Sequence, residues 1–317
     1  MTDQPPRVPR GSGVRAGPAG RVLTVAAAVL VAVGVAAVVV FVRGMPPPAA
    51  DATPVPAGEV TPAPAPGTAT RLVPAEALSL SVLQLNLCDS GFALNCYAAG
   101  ASVPEAAGII ASTRPDVVTL NEICRRDLDL LVPAMRKASP GDRPYWAFQP
   151  AYTDRGGPYR CRNGDEFGNA IVGHTPASAA ATNVRGGRFP MQVDPRIDEQ
   201  RSWACLLVVG RFYACTTHLT AHSSNVAITQ CRYLMNTAIP GAWAAMGGRG
   251  PTVLAGDLNL AHPGTPDVQR CVPPGWLRAG ADVQHVLATN DFGVVASRQI
   301  AMRYTDHPAW LVTLRIP

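Results

Sequence analysis

The chain has 317 residues, with 27 basic against 22 acidic side chains and a net charge of +5. It is 47% hydrophobic and 15% charged, where ordinary soluble domains are about 25% charged. These values exclude a disordered chain, a strongly basic nucleic-acid coat protein and, with only eight cysteines, a small disulfide-framework toxin.

The missing charge is concentrated near the N-terminus. Residues 22–42 are uncharged and nearly all Ala, Val, Leu and Gly. About 20 such residues span a bilayer core, and the run is longer than the roughly 7–15 apolar residues of a cleavable signal. A retained transmembrane helix is therefore expected, with cleavage at the small-x-small stretch Ala50–Ala52 as the alternative. Arg7, Arg10, Arg15 and Arg21 precede the segment and only Arg43 closely follows it, so residues 1–21 are expected in the cytoplasm and the rest outside the cell. Residues 43–70, rich in Pro and Ala, read as a semi-stiff linker. Residues 71–317 suit a single α/β domain, expected to be monomeric. Their charge is too mild to decide for or against nucleic acid.

Taken in chain order, 78–87 reads as a strand, 103–113 as a helix and 116–123 as a buried strand. Residues 126–138 read as a helix kinked at Pro133. Residues 168–174 form a strand, 202–218 a hairpin about Gly210, and 223–239 a helix capped by a serine. Strands at 251–260 and 309–316 complete the pattern. Alternating strands and helices imply sheets covered by helices. All eight cysteines fall in this domain. Their even number on the exported side predicts disulfides, with Cys205–Cys215 favoured by the hairpin and Cys88–Cys124 a second expectation. No CxxC or Cys/His cluster has zinc-ligand spacing.

Polar residues recur where the strands end. Asn86, Glu122, His218, Asp257 and Asn259 follow apolar runs, and Asp306 with His307 precedes one. A single Asp after a strand is ordinarily a turn or cap, but five strand ends of this kind can converge on one pocket. Phosphoester hydrolysis needs charge neutralisation and a positioned water rather than covalent help. Carboxylate and amide oxygens suit Mg²⁺ or Mn²⁺.

The ordered series LNL, LNEI, FGNAIVGHTP, TTHL, GDLN and TDH resembles the endonuclease/exonuclease/phosphatase family, whose fold is that of deoxyribonuclease I. The resemblance implies a four-layer α/β/β/α sandwich of two packed mixed sheets flanked by helices, and phosphoester cleavage with a divalent cation. By that resemblance Glu122 is the principal metal ligand and Asn86 contacts metal or phosphate. Asp257 and Asn259 orient the attacking water and the scissile phosphate. His307, paired with Asp306, is the catalytic histidine, and His218 binds phosphate. Arg201 corresponds to an arginine of the nuclease branch, and Asn169 faces either the pocket or the core. Two departures stand out. Asn121 occupies a position where the family often has Gln, and Gln284–His285 a position where it often has Asp–Tyr.

The expected activity is divalent-metal-dependent hydrolysis outside the cell membrane by water attack on phosphorus. Nucleic acid is slightly favoured as substrate over a phospholipid head group or a soluble phosphoester. A non-catalytic binding domain on the same scaffold is the other class. The stretches 160–166 and 183–189 offer basic loops but no stripe for the nuclease reading, and the aromatic stretch 144–152 serves the lipid reading and a core segment equally well. His174, His222 and His262 are expected to lie outside the site, and His285 to be structural.

Overall fold

The computed structural model describes residues 79–192 and 198–316. The expected tail, transmembrane helix and linker lie outside the described residues. Within them, no helix is long and apolar enough to cross a membrane.

Two six-stranded mixed sheets dominate. The first has the order β11-β12-β1-β2-β4-β3 and the second β5-β6-β7-β8-β10-β9. In the first, β1 (Ser79–Asn86) and β2 (Val117–Cys124) are parallel and joined through α1 (Ser102–Thr113). A second helix, α2 (Leu128–Ala138), runs unbroken through Pro133 and leads to β3 (Arg143–Pro150) and β4 (Phe167–Thr175). In the second sheet, β5 (Ala181–Arg188), β6 (Ser202–Val208) and β7 (Phe212–His218) are antiparallel neighbours. Strand β7 is parallel to β8 (Thr252–Asp257). Between those two, α3 (Ser224–Tyr233) passes through a π-helical turn into α4 (Ile239–Met246), so the helical stretch runs past the expected end at 239. The Ser223 hydroxyl caps α3 by accepting from the Val226 amide. Strands β9 (Trp276–Ala281), β10 (Gln284–Thr289), β11 (Gly293–Ile300) and β12 (Ala309–Arg315) complete the sheets.

Three apolar layers follow from the period-2 alternation of the strands. Leu83, Leu85, Val118 and Leu120 pack outward against Ile110 of α1 and Leu131 of α2. Tyr213, Cys215 and Leu254 pack outward against Ile228 of α3 and Ala242 of α4. Leu80, Val82 and Val117 meet Phe212, Ala214, Val253 and Ala255 between the sheets. The layers are thus helix, sheet, sheet, helix. Along the inward faces, apolar side chains give way to polar ones towards the strand ends: Leu80 and Val82 to Gln84 and Asn86, Phe212 and Ala214 to Thr216 and His218, Val253 and Ala255 to Asp257. The apolar half of each face builds the core, and the polar half collects at one end.

Four disulfides are present: Cys88–Cys96, Cys124–Cys161, Cys205–Cys215 and Cys231–Cys271. The hairpin pair is as expected, because Cys205 and Cys215 sit directly opposite in the β6–β7 register. The expected Cys88–Cys124 bridge does not form. The chain turns after β1 through a left-handed Cys88, so its thiol closes a short loop with Cys96. Cys124 packs against the Asp89 carbonyl, 3.2 Å from its sulfur, and bridges to the loop before β4. Closing that 37-residue separation is worth about 4 kcal/mol in the chain-entropy picture.

Candidate active site

Parallel strands present their carboxyl ends at one rim, where α/β sheets place ligands. Here two such rims face each other. Asn86 at the end of β1 reaches Asp257 at the end of β8, its Nδ2 donating to Oδ2 at 3.0 Å. The same nitrogen lies 3.1 Å from Oε1 of Glu122, so one amide holds a carboxylate from each sheet. Strand β12 runs antiparallel to β1, and β6 antiparallel to β7. Their starts therefore lie at the same rim, which brings in Asp306, His307 and Arg201.

Glu122 depends on a local break. By alternation it would follow Val118 and Leu120 into the helix layer. The register with β4 shifts between Leu120 and Ile123, and Glu122 takes a left-handed backbone with φ of 54°. The bulge redirects the side chain to the rim, where it remains 21% exposed. Burial pushes its carboxyl up to about 7, against the pull of Arg201 and with the push of Glu199 and Asp257. Asp257 is buried and its carboxyl is likewise raised by desolvation, with His307 opposing. Its Oδ1 accepts from the Asn259 amide at 3.0 Å, and the Asn259 side chain donates to the Leu219 carbonyl at 2.9 Å.

The imidazole of His218 has a defined tautomer. Arg201 Nη1 donates to its Nδ1 at 2.7 Å. A guanidinium cannot accept, so the ring proton stands on Nε2. Burial, followed by the charges of Arg201 and His307, holds this imidazole well below the ordinary range and therefore neutral. Its Nε2 lies 3.8 Å from Glu122 and 3.9 Å from Asp257, too far for a hydrogen bond. His307 Nε2 is closer to Asp257 Oδ2, at 3.4 Å, than to the expected partner Asp306, at 3.7 Å. These groups line a cleft of about 420 Å³, together with Phe92, Tyr159, Phe167 and His222. A larger hollow of about 570 Å³ between α2 and β3 is lined by Arg125, Asp129 and Trp146. It contains none of the converging strand-end residues.

All eight expected site residues thus come together: Asn86, Glu122, Arg201, His218, Asp257, Asn259, Asp306 and His307. Asn86 acts here as a donor to both carboxylates, and its Oδ1 accepts from the Cys88 amide at 3.2 Å. Three further contributors escaped the sequence reading. Glu199 Oε1 accepts from the same Arg201 Nη1 that meets His218, at 2.7 Å. The Thr305 hydroxyl donates to the Asn86 carbonyl at 2.9 Å and ties the loop before β12 to the end of β1. His222 lines the cleft although it was expected outside. Adjacency was the one available signal for two of them, since Glu199 lies two residues before Arg201 and Thr305 two before His307.

Beneath the cleft lies a polar layer centred on Asn121. Its Oδ1 accepts from Gln84 Nε2 at 2.7 Å and from the Asp257 amide at 2.8 Å. Its Nδ2 donates to Asn169 Oδ1 at 2.8 Å and to the Thr217 carbonyl at 3.1 Å. Asn169 therefore faces the core. Gln284 accepts from Gln84 at 3.1 Å, so an amide stands in this layer where the family often has a carboxylate. His285 is structural: its Nε2 meets the Leu260 carbonyl at 2.8 Å, and burial pulls its pKa down to about 4. His174 pairs with Asp142 and His262 with Asp267, outside the cleft lining. The aromatic stretch 144–152 does not project as a hairpin. It is the edge strand β3 and its continuation, with Tyr145 and Ala147 buried.

Comparison with known proteins agrees with this fold. The model of the Endonuclease/Exonuclease/phosphatase family matches residues 93–307. A solved endonuclease/exonuclease/phosphatase from Beutenbergia cavernae DSM 12333 superposes with a TM-score of 0.55 at 20% identity, covering 75% of this chain and 72% of that one. ANGEL2, a 2′,3′-cyclic phosphatase, gives 0.56 at 13% identity, covering 75% and 95%. The mannosyl-6-phosphatase Bt3783 of Bacteroides thetaiotaomicron VPI-5482 gives 0.52 at 15% identity, covering 74% and 99%. No curated protein sequence matches the chain. The family match over most of the folded domain, on a two-sheet sandwich with the motif residues at one rim, makes this chain a member of the endonuclease/exonuclease/phosphatase family of phosphoric ester hydrolases.

Proposed function

We propose that this protein is a divalent-metal-dependent phosphodiesterase acting outside the cell membrane, held there by its N-terminal segment. The observation that carries the reading is the pair Glu122, half-buried, and Asp257, fully buried, two raised carboxylates held against one Asn86 nitrogen. Crowded negative charge of this kind, made of hard oxygen donors at the mouth of a cleft, fits Mg²⁺ or Mn²⁺. Glu122, with Asn86 beside it, would hold the ion, which supplies charge neutralisation at the phosphate.

The chain's own groups divide the remaining work. Asp257 Oδ2 and Asn259 position a water in line with phosphorus, and Asp257, raised by burial, accepts its proton as the new P–O bond forms. The Nε2–H of neutral His218 donates to a phosphoryl oxygen. His307 stabilises the charge that develops there as the bond to the leaving oxygen breaks. Arg201 and Glu199 keep the His218 tautomer fixed.

Nucleotide-containing diesters are the preferred substrates in this proposal. The basic stretch 160–166 stands beside the cleft, with the Arg162 amide donating to the carbonyl of cleft-lining Ser90 at 2.8 Å. The lipid reading loses its aromatic hairpin to strand β3. The test is hydrolysis of bis-(p-nitrophenyl) phosphate, plasmid DNA and sphingomyelin side by side, with Mg²⁺ and with chelator. Chelator-sensitive cleavage of the first two is expected. Preferential cleavage of sphingomyelin would shift the substrate class, and no chelator-sensitive cleavage at all would leave a binding domain.

A further inference from the structure

The cleft is larger than its chemistry requires. A volume of about 420 Å³ falls within the roughly 300–1,000 Å³ of sites that enclose a small organic ligand, well beyond one phosphate group. Its acidic and imidazole groups occupy the rim where the strands end. Aromatic side chains also line the cleft. Phe167 is buried. Half-buried Tyr159 stands 5.7 Å from it in an edge-to-face contact, and Phe92 stands 6.5 Å from Tyr159 in another. Phe92 remains 54% exposed, so it gains little as a core residue.

The backbone holds that ring in place. Phe92 lies midway between Cys88 and Cys96, whose disulfide closes the loop. Its amide donates to the Ser90 hydroxyl at 3.2 Å. Tyr159 lines the same cleft as Glu199 and Arg201. Leu94, on the same loop, is 80% exposed but is not part of the lining. The loop therefore separates an apolar side chain that faces the cleft from one that does not.

We propose that Phe92 and Tyr159 form a subsite for a planar ring carried next to the scissile phosphate. The protein then prefers ring-bearing phosphoesters, nucleosidic or aryl, over ringless ones. The inference rests on the phosphoesterase reading for what occupies the rest of the cleft. A ring inserted beside Phe92 gains the quadrupolar and dispersion contacts of aromatic pairs, and such stacking tolerates any base because every base has a π-face.

The test is calorimetric binding of three phosphate monoesters to the full chain with Mg²⁺: adenosine monophosphate, phenyl phosphate and ribose 5-phosphate. The wild type should bind adenosine monophosphate about tenfold more tightly than ribose 5-phosphate, within the range one stacked base contributes. Phe92→Ala and Phe92→Leu should both erase that ratio, and Leu94→Ala should leave it unchanged. Phenyl phosphate matching the nucleotide identifies an aryl subsite, and phenyl phosphate matching the sugar phosphate identifies a nucleobase subsite. Equal affinity for ringed and ringless esters in the wild type would overturn the proposal. So would a ring preference that survives both Phe92 variants, or one that Leu94→Ala also abolishes. Binding is read independently of turnover, so absent hydrolysis would count against the phosphoesterase reading and equal binding against the subsite.

Discussion

In the first sheet a parallel pair, β1 and β2, is flanked by β12 on one side and β4 on the other. In the second sheet β7 and β8 are flanked by β6 and β10 in the same senses. The halves correspond: Asn86 to His218 at the end of the first parallel strand, and Glu122, one residue past the register partner of Asn86, to Asp257 at the end of the second. The Asp306–His307 pair corresponds to Arg201, just before the antiparallel neighbour. The topology is shared and the chemistry is not. The first half supplies the bulged carboxylate and a half-buried imidazole. The second supplies a buried carboxylate at a regular strand end and an imidazole locked by a guanidinium. In the proposed mechanism neither set contains both the ion-holding and the proton-accepting carboxylate, so the proposed site exists only where the rims meet.

Breaking the seam itself should give the largest effect on stability. Asn121→Ala removes all four hydrogen bonds by which Asn121 joins β2 to β1, β4, β7 and β8, leaving buried partners unpaired. The expected cost is about 3–4 kcal/mol, read from denaturant unfolding, together with a fall in turnover because the Asp257 amide loses its anchor. A cost within about 0.5 kcal/mol, the range of an ordinary surface change, would mean the halves are held by apolar packing alone.

A smaller effect tests the second half by itself. His285 has a folded pKa near 4 against about 6.5 unfolded. Below pH 6.5 the unfolded chain takes up the proton first, so the stability from neutral His285 is full above that value. It is lost as pH falls towards 4, by up to about 3 kcal/mol. His285→Gln, which keeps a donor for the Leu260 carbonyl, should flatten this part of the stability–pH curve. An unchanged curve would mean that His285 is solvated in the folded state.

Much of this arrangement was legible because buried strands announce themselves as apolar runs, and a polar residue at such an end is conspicuous. Asn86, Glu122, His218, Asp257 and His307 were visible for that reason. The two-layer packing was implied by the motif order and followed from the resemblance rather than from periodicity. Edge strands were harder. β3, β5 and β11 carry mixed faces, so 144–152 reads equally as an exposed aromatic hairpin or a core segment and 183–189 as a basic loop, whereas both largely form strands. The Cys88–Cys124 expectation failed because a disulfide depends on where a turn sends each Cβ, which the left-handed Cys88 decides. Asn121 was noted as a departure from the family, but its four partners lie in four other strands that only the fold brings together. The same holds for the aromatic lining, whose rings come from positions 92, 159 and 167.

The most direct test of a single site shared between the halves is Mg²⁺-dependent hydrolysis of bis-(p-nitrophenyl) phosphate by Glu122→Gln, by Asp257→Asn and by the double variant. If the two carboxylates act as one unit, each single variant loses about 10³-fold or more in turnover and the double variant loses little beyond that, as groups acting together are strongly non-additive. Turnover near the wild-type rate in either single variant, or losses that multiply in the double variant, would contradict it.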